Sequence, residues 1–218
     1  METKYHKSAL GNVILNKKNM KSIYRIALIF VLSAFATATF AQQDIDEMIK
    51  VRATEKVKQM CDYIEFMANP QNGTEARTKF KGKAVRLFIA KCEPYEEDGI
   101  QKRGVEMEIT STYRPKPRRR LMKDYFTGLM NMRYSKVDIK SSDIHDIQVS
   151  ELRQIDENTF VCTAVFVQVF VGYRDGKPVY TDRTKKSVKC YVLREETIDG
   201  DEYIVMLGDT KALDTKKS

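Results

Sequence analysis

The stretch TFVCTAVFVQVFV at residues 159–171, the turn RDGK at 174–177 and the stretch VYTDRTKKSVKCYVL at 179–193 decide the fold. Arms this rich in Val, Phe and Tyr suit a pleated, half-buried surface, and Asp175-Gly176 supplies the positive φ angles of a tight hairpin turn. Side chains alternate across a strand, so the series from Phe160 to Phe170 falls on one face and Val161, Val165, Val167, Val169 and Val171 on the other. The Phe face is expected to close the core. An apolar row on the opposite face needs a cover, and a second copy of the chain is the expected one: a homodimer through Val161, Val165, Val167 and Val169.

Register gives the hairpin a second use. A strict two-residue Asp175-Gly176 turn would put Cys162 and Cys190 on opposite faces, whereas one extra residue in a bulge makes them direct partners. Their apolar neighbours argue for one face: Phe160, Ala164 and Phe166 alternate with Cys162, and Val188 and Val192 with Cys190. A Cys162–Cys190 disulfide and a pair of buried free thiols are both open readings.

Before the hairpin, residues 44–68 repeat apolar positions at three- and four-residue steps (Ile45, Ile49, Ala53, Val57, Met60, Ile64, Met67), the pattern of an amphipathic helix ended by Asn69-Pro70. Thr74 is expected to cap a second helix that buries Phe80, Ala84, Leu87 and Phe88 and leaves Arg77, Lys79, Lys81 and Lys83 in water. Residues 93–99 read as an acidic, turn-rich connection. A first strand over about 103–113 alternates Val105, Met107 and Ile109 with Glu106, Glu108 and Thr110. A short helix starting at Pro117 follows, with Leu121, Tyr125 and Leu129 on one side. Beyond Asn131 the pattern is all strand. The expected fold class is therefore α+β: a helical pair and a short helix on a strongly curved antiparallel sheet.

The start of the chain carries an address. Met20-Lys21 opens a basic segment, residues 26–35 are an apolar run, and small residues end at Ala41, as in a cleavable secretory signal peptide. Residues 1–19 read as an overlong start, 20–41 as the signal, and 42–218 as a single domain. The apolar run is shorter than the roughly 20 residues of a comfortable span, so no stable membrane span is expected after cleavage. The protein is expected to be exported, to the periplasm or the medium. Six Lys or Arg against one Glu in residues 1–41 account for +5 of the formal charge of +8, which leaves only +3 for the mature chain. That is too little for a nucleic-acid partner without a concentrated basic face.

The order of elements resembles the nuclear transport factor 2-like superfamily, the cone-shaped folds that include ketosteroid isomerase-like and polyketide cyclase-like proteins. The resemblance rests on the helical pair, the Pro-bounded short helix at Pro117 and the long closing hairpin, and spans nearly the whole mature chain. It implies one cone-like domain and leaves function open, since the superfamily holds enzymes, carriers and adaptors. In isomerase-like members an Asp serves as base and a Tyr stabilises the oxyanion. Tyr113, Asp124 and Tyr125 are the nearest residues here, though none is matched residue for residue.

Two further groups are candidates. His145, flanked by Asp143 and Asp146, could act as an acid or base, but the plain reading is an exposed strand edge. A lone mature histidine supplies too few ligands for a usual zinc site, so no metal or cofactor is expected. The block RPKPRRRLMK at 114–123 brings together Arg114, Lys116, Arg118, Arg119, Arg120 and Lys123, which could grip a phosphate, an acidic glycan or an anionic headgroup. More often such a run is a solvated face. The first functional expectation is a non-enzymatic exported domain binding a small ligand or an envelope protein. The alternative is a cofactor-free isomerase, dehydratase or hydrolase with an Asp–Tyr site in the cone. A structural or assembly component of the envelope is third.

Overall fold

The computed structural model describes residues 44–217. The chain divides into two units; the first, Met1–Ile45, lies almost wholly outside the described residues, and so does the expected signal peptide. The second is α+β, with three helices packed against a mixed sheet. No helix among the described residues is long and apolar enough to cross a membrane.

Helix α1 covers 44–68, and its stripe of Ile49, Ala53, Val57, Met60, Ile64 and Met67 is buried as the periodicity requires. Asn69 caps a single 3-10 turn at Pro70–Asn72, its side chain accepting from the Gln71 N–H. Helix α2, Thr74–Val85, starts from Gly73 in the capping position rather than Thr74. Arg77, expected in water, is buried: its Nε donates to Met67 O and its Nη2 to Met130 O, both at 2.7 Å. One guanidinium thus serves the open carbonyls at the C-terminal ends of two helices, where cations are favoured.

The expected acidic connection is a small hairpin. Strands β1 (Tyr95–Glu97) and β2 (Ile100–Lys102) meet at Asp98-Gly99, with φ of 51° and 74°. Those are the same signs as at Asp175 (52°) and Gly176 (75°), so both hairpins close through turns that need positive φ at two positions.

Strand β3 (Glu106–Ser111) pairs with β4 (Arg114–Leu121), and α3 (Met122–Met130) begins only after it. This corrects the expected helix from Pro117: the arginine block is a strand. β4 lies at the sheet edge, where Pro is tolerated because the outer backbone groups need no ladder partner.

Strand β5 (Lys136–Ser141) and two short strands, β6 (Gln148–Val149) and β7 (Arg153–Gln154), pair in turn along one edge of β8 (Thr159–Arg174). Where a strand was expected around His145, a 3-10 turn (Ile144–Asp146) stands instead. β9 (Lys177–Thr197) and β10 (Gly200–Lys216) complete the order β4-β3-β10-β9-β8-β5. The sheet is not wholly antiparallel, because β10 meets β3 in parallel, with Thr210 opposite Met107.

In the β8–β9 pairing Arg174 faces Lys177 and Tyr173 faces Pro178, then the register shifts, and from Gly172↔Tyr180 onward it holds through Cys162↔Cys190 to Thr159↔Leu193. Val179 is the extra residue of the bulge. It puts Tyr180, Asp182, Thr184, Lys186, Val188, Cys190 and Val192 on the same face as Phe160, Ala164, Phe166, Gln168 and Phe170.

Candidate functional site

That inner face is apolar at one end and polar at the other. Towards β7 it carries Val192, Cys190 and Val188 against Ala164 and Phe166, all buried. Towards the turn, Lys186, Thr184 and Asp182 follow in alternate positions, with Gln168 and Phe170 across from them. These residues line a cavity of about 410 Å³, closed by Tyr125, Gly128 and Leu129 of α3, by Met132 and Tyr134, and by Ile109, Thr110 and Ser111 of β3. Its size and mixed lining suit a small organic ligand.

The polar groups inside are few and connected. Tyr180 donates its hydroxyl hydrogen to Asp182, and Ser111 Oγ stands 2.9 Å from the same Tyr180 oxygen. Asp182 is buried, and burial pushes its carboxyl above the usual range against the pull of Tyr180 and Lys186. Lys186 is also buried, and burial lowers its amine to about 8, opposed by Cys61 and Asp182. Its Nζ donates to Gln168 Oε1 at 2.9 Å and lies 5.9 Å from the centre of the Tyr125 ring. Gln168 Nε2 is buried with no partner among the described residues. An unpaired amide N–H beside a buried amine is a group waiting for an acceptor.

The sequence candidates divide on this geometry. Tyr125 is inside, and burial drives its phenol well up. Tyr113 is exposed at the rim, its ring 5.4 Å from that of Tyr180. Arg114, Arg118 and Arg120 also line the cavity. Asp124 and His145 are exposed and are not part of it. Nor are Lys116, Arg119 and Lys123: Arg119 bonds Glu108 at 3.4 Å and Lys123 pairs with Glu93. Strand alternation separates Arg119 from its neighbours, since Arg118 and Arg120 share a side of β4 that Arg119 does not, and Lys123 already belongs to α3. The sequence reading missed Asp182, Lys186 and Gln168 altogether. Counting back in twos from Val188 would have found the first two.

The outer face carries a second polar group. Glu97 of the β1–β2 hairpin accepts from Tyr191 and, at 2.5 Å, from Lys189, and Lys102 lies 3.4 Å away. Burial alone would raise Glu97, but the donors overcome it and hold the carboxyl at about 2. This cluster fastens the small hairpin onto β9. Val165, Val167 and Val169 are half-buried on the same outer face and Val161 is fully buried; opposite them stand Ser187, Lys185, Arg183 and Tyr191.

The four cysteines are buried free thiols. Cys162 and Cys190 are direct cross-strand partners. The Cys190 thiol donates to Val188 O at 3.9 Å, and its closeness to Cys162 lowers the Cys162 thiol and, together with burial, raises that of Cys190. Among the described residues no group of His, Cys, Asp or Glu is placed to hold a metal ion.

No family model matches the chain, and no curated protein does. Two solved structures are similar in shape. One is a Novosphingobium aromaticivorans protein provisionally named a scytalone dehydratase, with a TM-score of 0.39 and 13% identity, covering 80% of this chain and 91% of that one. The other is the Kfla4162 protein of Kribbella flavida, with a TM-score of 0.37 and 12% identity, covering 76% of this chain and 93% of that one.

Proposed function

We propose that the protein is an exported, cone-shaped domain of the nuclear transport factor 2-like kind that binds a small, partly apolar anion in the β8–β9 cavity. The observation that carries this reading is the charge of the lining. Among the described residues Arg114, Arg118, Arg120 and Lys186 stand against Asp182 alone, around walls made of Leu129, Met132, Phe170 and Ile109. Arginine forks at a rim suit a carboxylate or phosphate, and an apolar wall suits the rest of the molecule. Calorimetric titration with 4-methylbenzoate, octanoate and the neutral 4-methylbenzyl alcohol tests it. The anions are expected to bind at least about tenfold more tightly than the alcohol, a difference that Arg118→Glu with Arg120→Glu removes. Equal binding of the alcohol, or none of the anions, overturns the reading.

A cofactor-free acid–base enzyme is the second reading, and the Tyr180–Asp182 bond favours it. A carboxyl raised by burial and steadied by a phenol is suited to taking a proton from a bound ligand. Under that reading Asp182→Asn abolishes turnover and leaves anion binding intact.

Homodimerisation through the half-buried outer valines Val165, Val167 and Val169 belongs to the same proposal, whereas Val161, expected in that face, is already buried within the chain. Arg183 and Lys185 on β9 and Lys140 on β5 flank that row, so the dimer is expected to tighten with salt. Sedimentation that gives a monomer at both low and high salt removes it.

A further inference from the structure

We propose that Lys186 is a nucleophile that condenses with the carbonyl carbon of an aldehyde or ketone held in the cavity, forming a Schiff base. This deepens the binding reading and rests on it for the ligand's anionic group.

The placement of the amine carries the argument. Lys186 lies on the inner face of β9, 7% exposed, in the wall of the cavity. Among the described residues its Nζ makes one hydrogen bond, to the neutral amide oxygen of Gln168, and no ion pair. Other lysines here behave differently: Lys50, Lys58, Lys102, Lys123, Lys136 and Lys189 all pair with carboxylates near the surface. A buried amine with no carboxylate in contact costs stability, and its value lies in reactivity, because desolvation favours the free base that attacks carbonyls. The titratable groups that face it are Asp182 on its own strand, Cys61 from α1 and Tyr125 from α3. Burial raises both Cys61 and Tyr125, so both are neutral near pH 7 and neither fixes the charge on the amine.

The chemistry closes on groups already present. The amine lone pair attacks the carbonyl carbon, a C–N bond forms, and the C=O π pair moves to oxygen, which takes the proton released by nitrogen. The C–O bond of this carbinolamine then breaks, the oxygen leaves as water, and a C=N bond remains. Asp182, the single acid among the described residues lining the cavity, is the group to pass protons in both steps. The Ser111–Tyr180 chain stands behind it.

The test is reductive trapping on the full domain with 4-carboxybenzaldehyde and cyanoborohydride, followed by peptide mapping. Hydride from the borohydride converts each imine into a stable secondary amine. The expected result is an adduct at Lys186 forming at least about tenfold faster than at any surface lysine and suppressed by 4-methylbenzoate. Adducts spread over surface lysines, with no preference for Lys186, overturn the proposal while 4-methylbenzoate binding still stands. Labelling of Lys186 at equal rate by the neutral 4-methylbenzaldehyde keeps the nucleophile and removes the anionic ligand. The mapping uses the native chain, so it does not depend on a variant that folds.

Discussion

Lys186 Nζ and Gln168 Oε1 are joined at 2.9 Å across two neighbouring strands, and the other end of the same amide, Gln168 Nε2, has no partner among the described residues. The pair leaves one amine and one amide donor buried beside a cavity. Water or a ligand accepting from both would complete them.

Stability should report the buried amine directly. Lys186 titrates at about 8 in the folded chain against an ordinary 10.5, so between these values the unfolded chain binds more protons and stability rises with pH. Below about 8 the full destabilisation is present, on the order of 3 kcal/mol. Lys186→Met removes it and fills similar volume. The variant is expected to be more stable than the parent at pH 7, and the difference to shrink as pH climbs towards 10.5. Urea melts of both proteins across that window check it.

Arg77 holds two helix ends through Met67 O and Met130 O. Arg77→Ala leaves both carbonyls without this donor and opens a gap, so a loss of about 3 kcal/mol is expected, read as a lower urea midpoint at unchanged slope. A loss within error would mean that water replaces the guanidinium at no cost.

Gly208 has a packing role. A Cβ there would come within 2.6 Å of the Tyr191 ring, so Gly208→Ala must displace the phenol that donates to Glu97. The β1–β2 hairpin is expected to loosen while the cavity keeps its ligand. Faster amide exchange confined to residues 95–102 with unchanged 4-methylbenzoate affinity is the expected pair of results.

Cys162 and Cys190 face each other in an antiparallel ladder, where opposed Cα atoms lie about 4.5–5.5 Å apart, within disulfide reach. If export delivers the chain to an oxidising space, the bridge is expected to form there. Unreduced protein should then give two reactive thiols after unfolding, from Cys61 and Cys92. Four would exclude the bridge.

The legibility of this fold follows the strength of its apolar patterns. α1 and the β8–β9 hairpin were readable because Ile49 to Met67 and Phe160 to Phe170 repeat at clean helical and strand periods. The β1–β2 hairpin was not, since arms of three residues show no periodicity, although Asp98-Gly99 is the same dipeptide as Asp175-Gly176. β4 was misread as a helix because Pro117 and three arginines hide an edge strand that is held by its backbone and by Glu108. Arg77 was placed in water by its charge, and only the carbonyls of two other helices explain its burial. In the site, Tyr113, Tyr125 and the arginines were found from the resemblance and from charge. Asp182 and Lys186 were passed over because TDRTKK is polar on both faces, so hydrophobicity alone cannot say which side is in.

Val179, the extra residue of the bulge, therefore sets the parity of everything beyond it. With it, even-numbered β9 positions from Tyr180 to Val192 look inward, and the cavity receives one acid and one amine. Without it, Arg183, Lys185 and Lys189 would turn in and Val188, Cys190 and Val192 would turn out, so the core would be forced to recover the shift elsewhere. The chemistry of the site is in this sense a matter of counting: a single solvent-exposed valine beside the turn selects which half of β9 is available to a ligand.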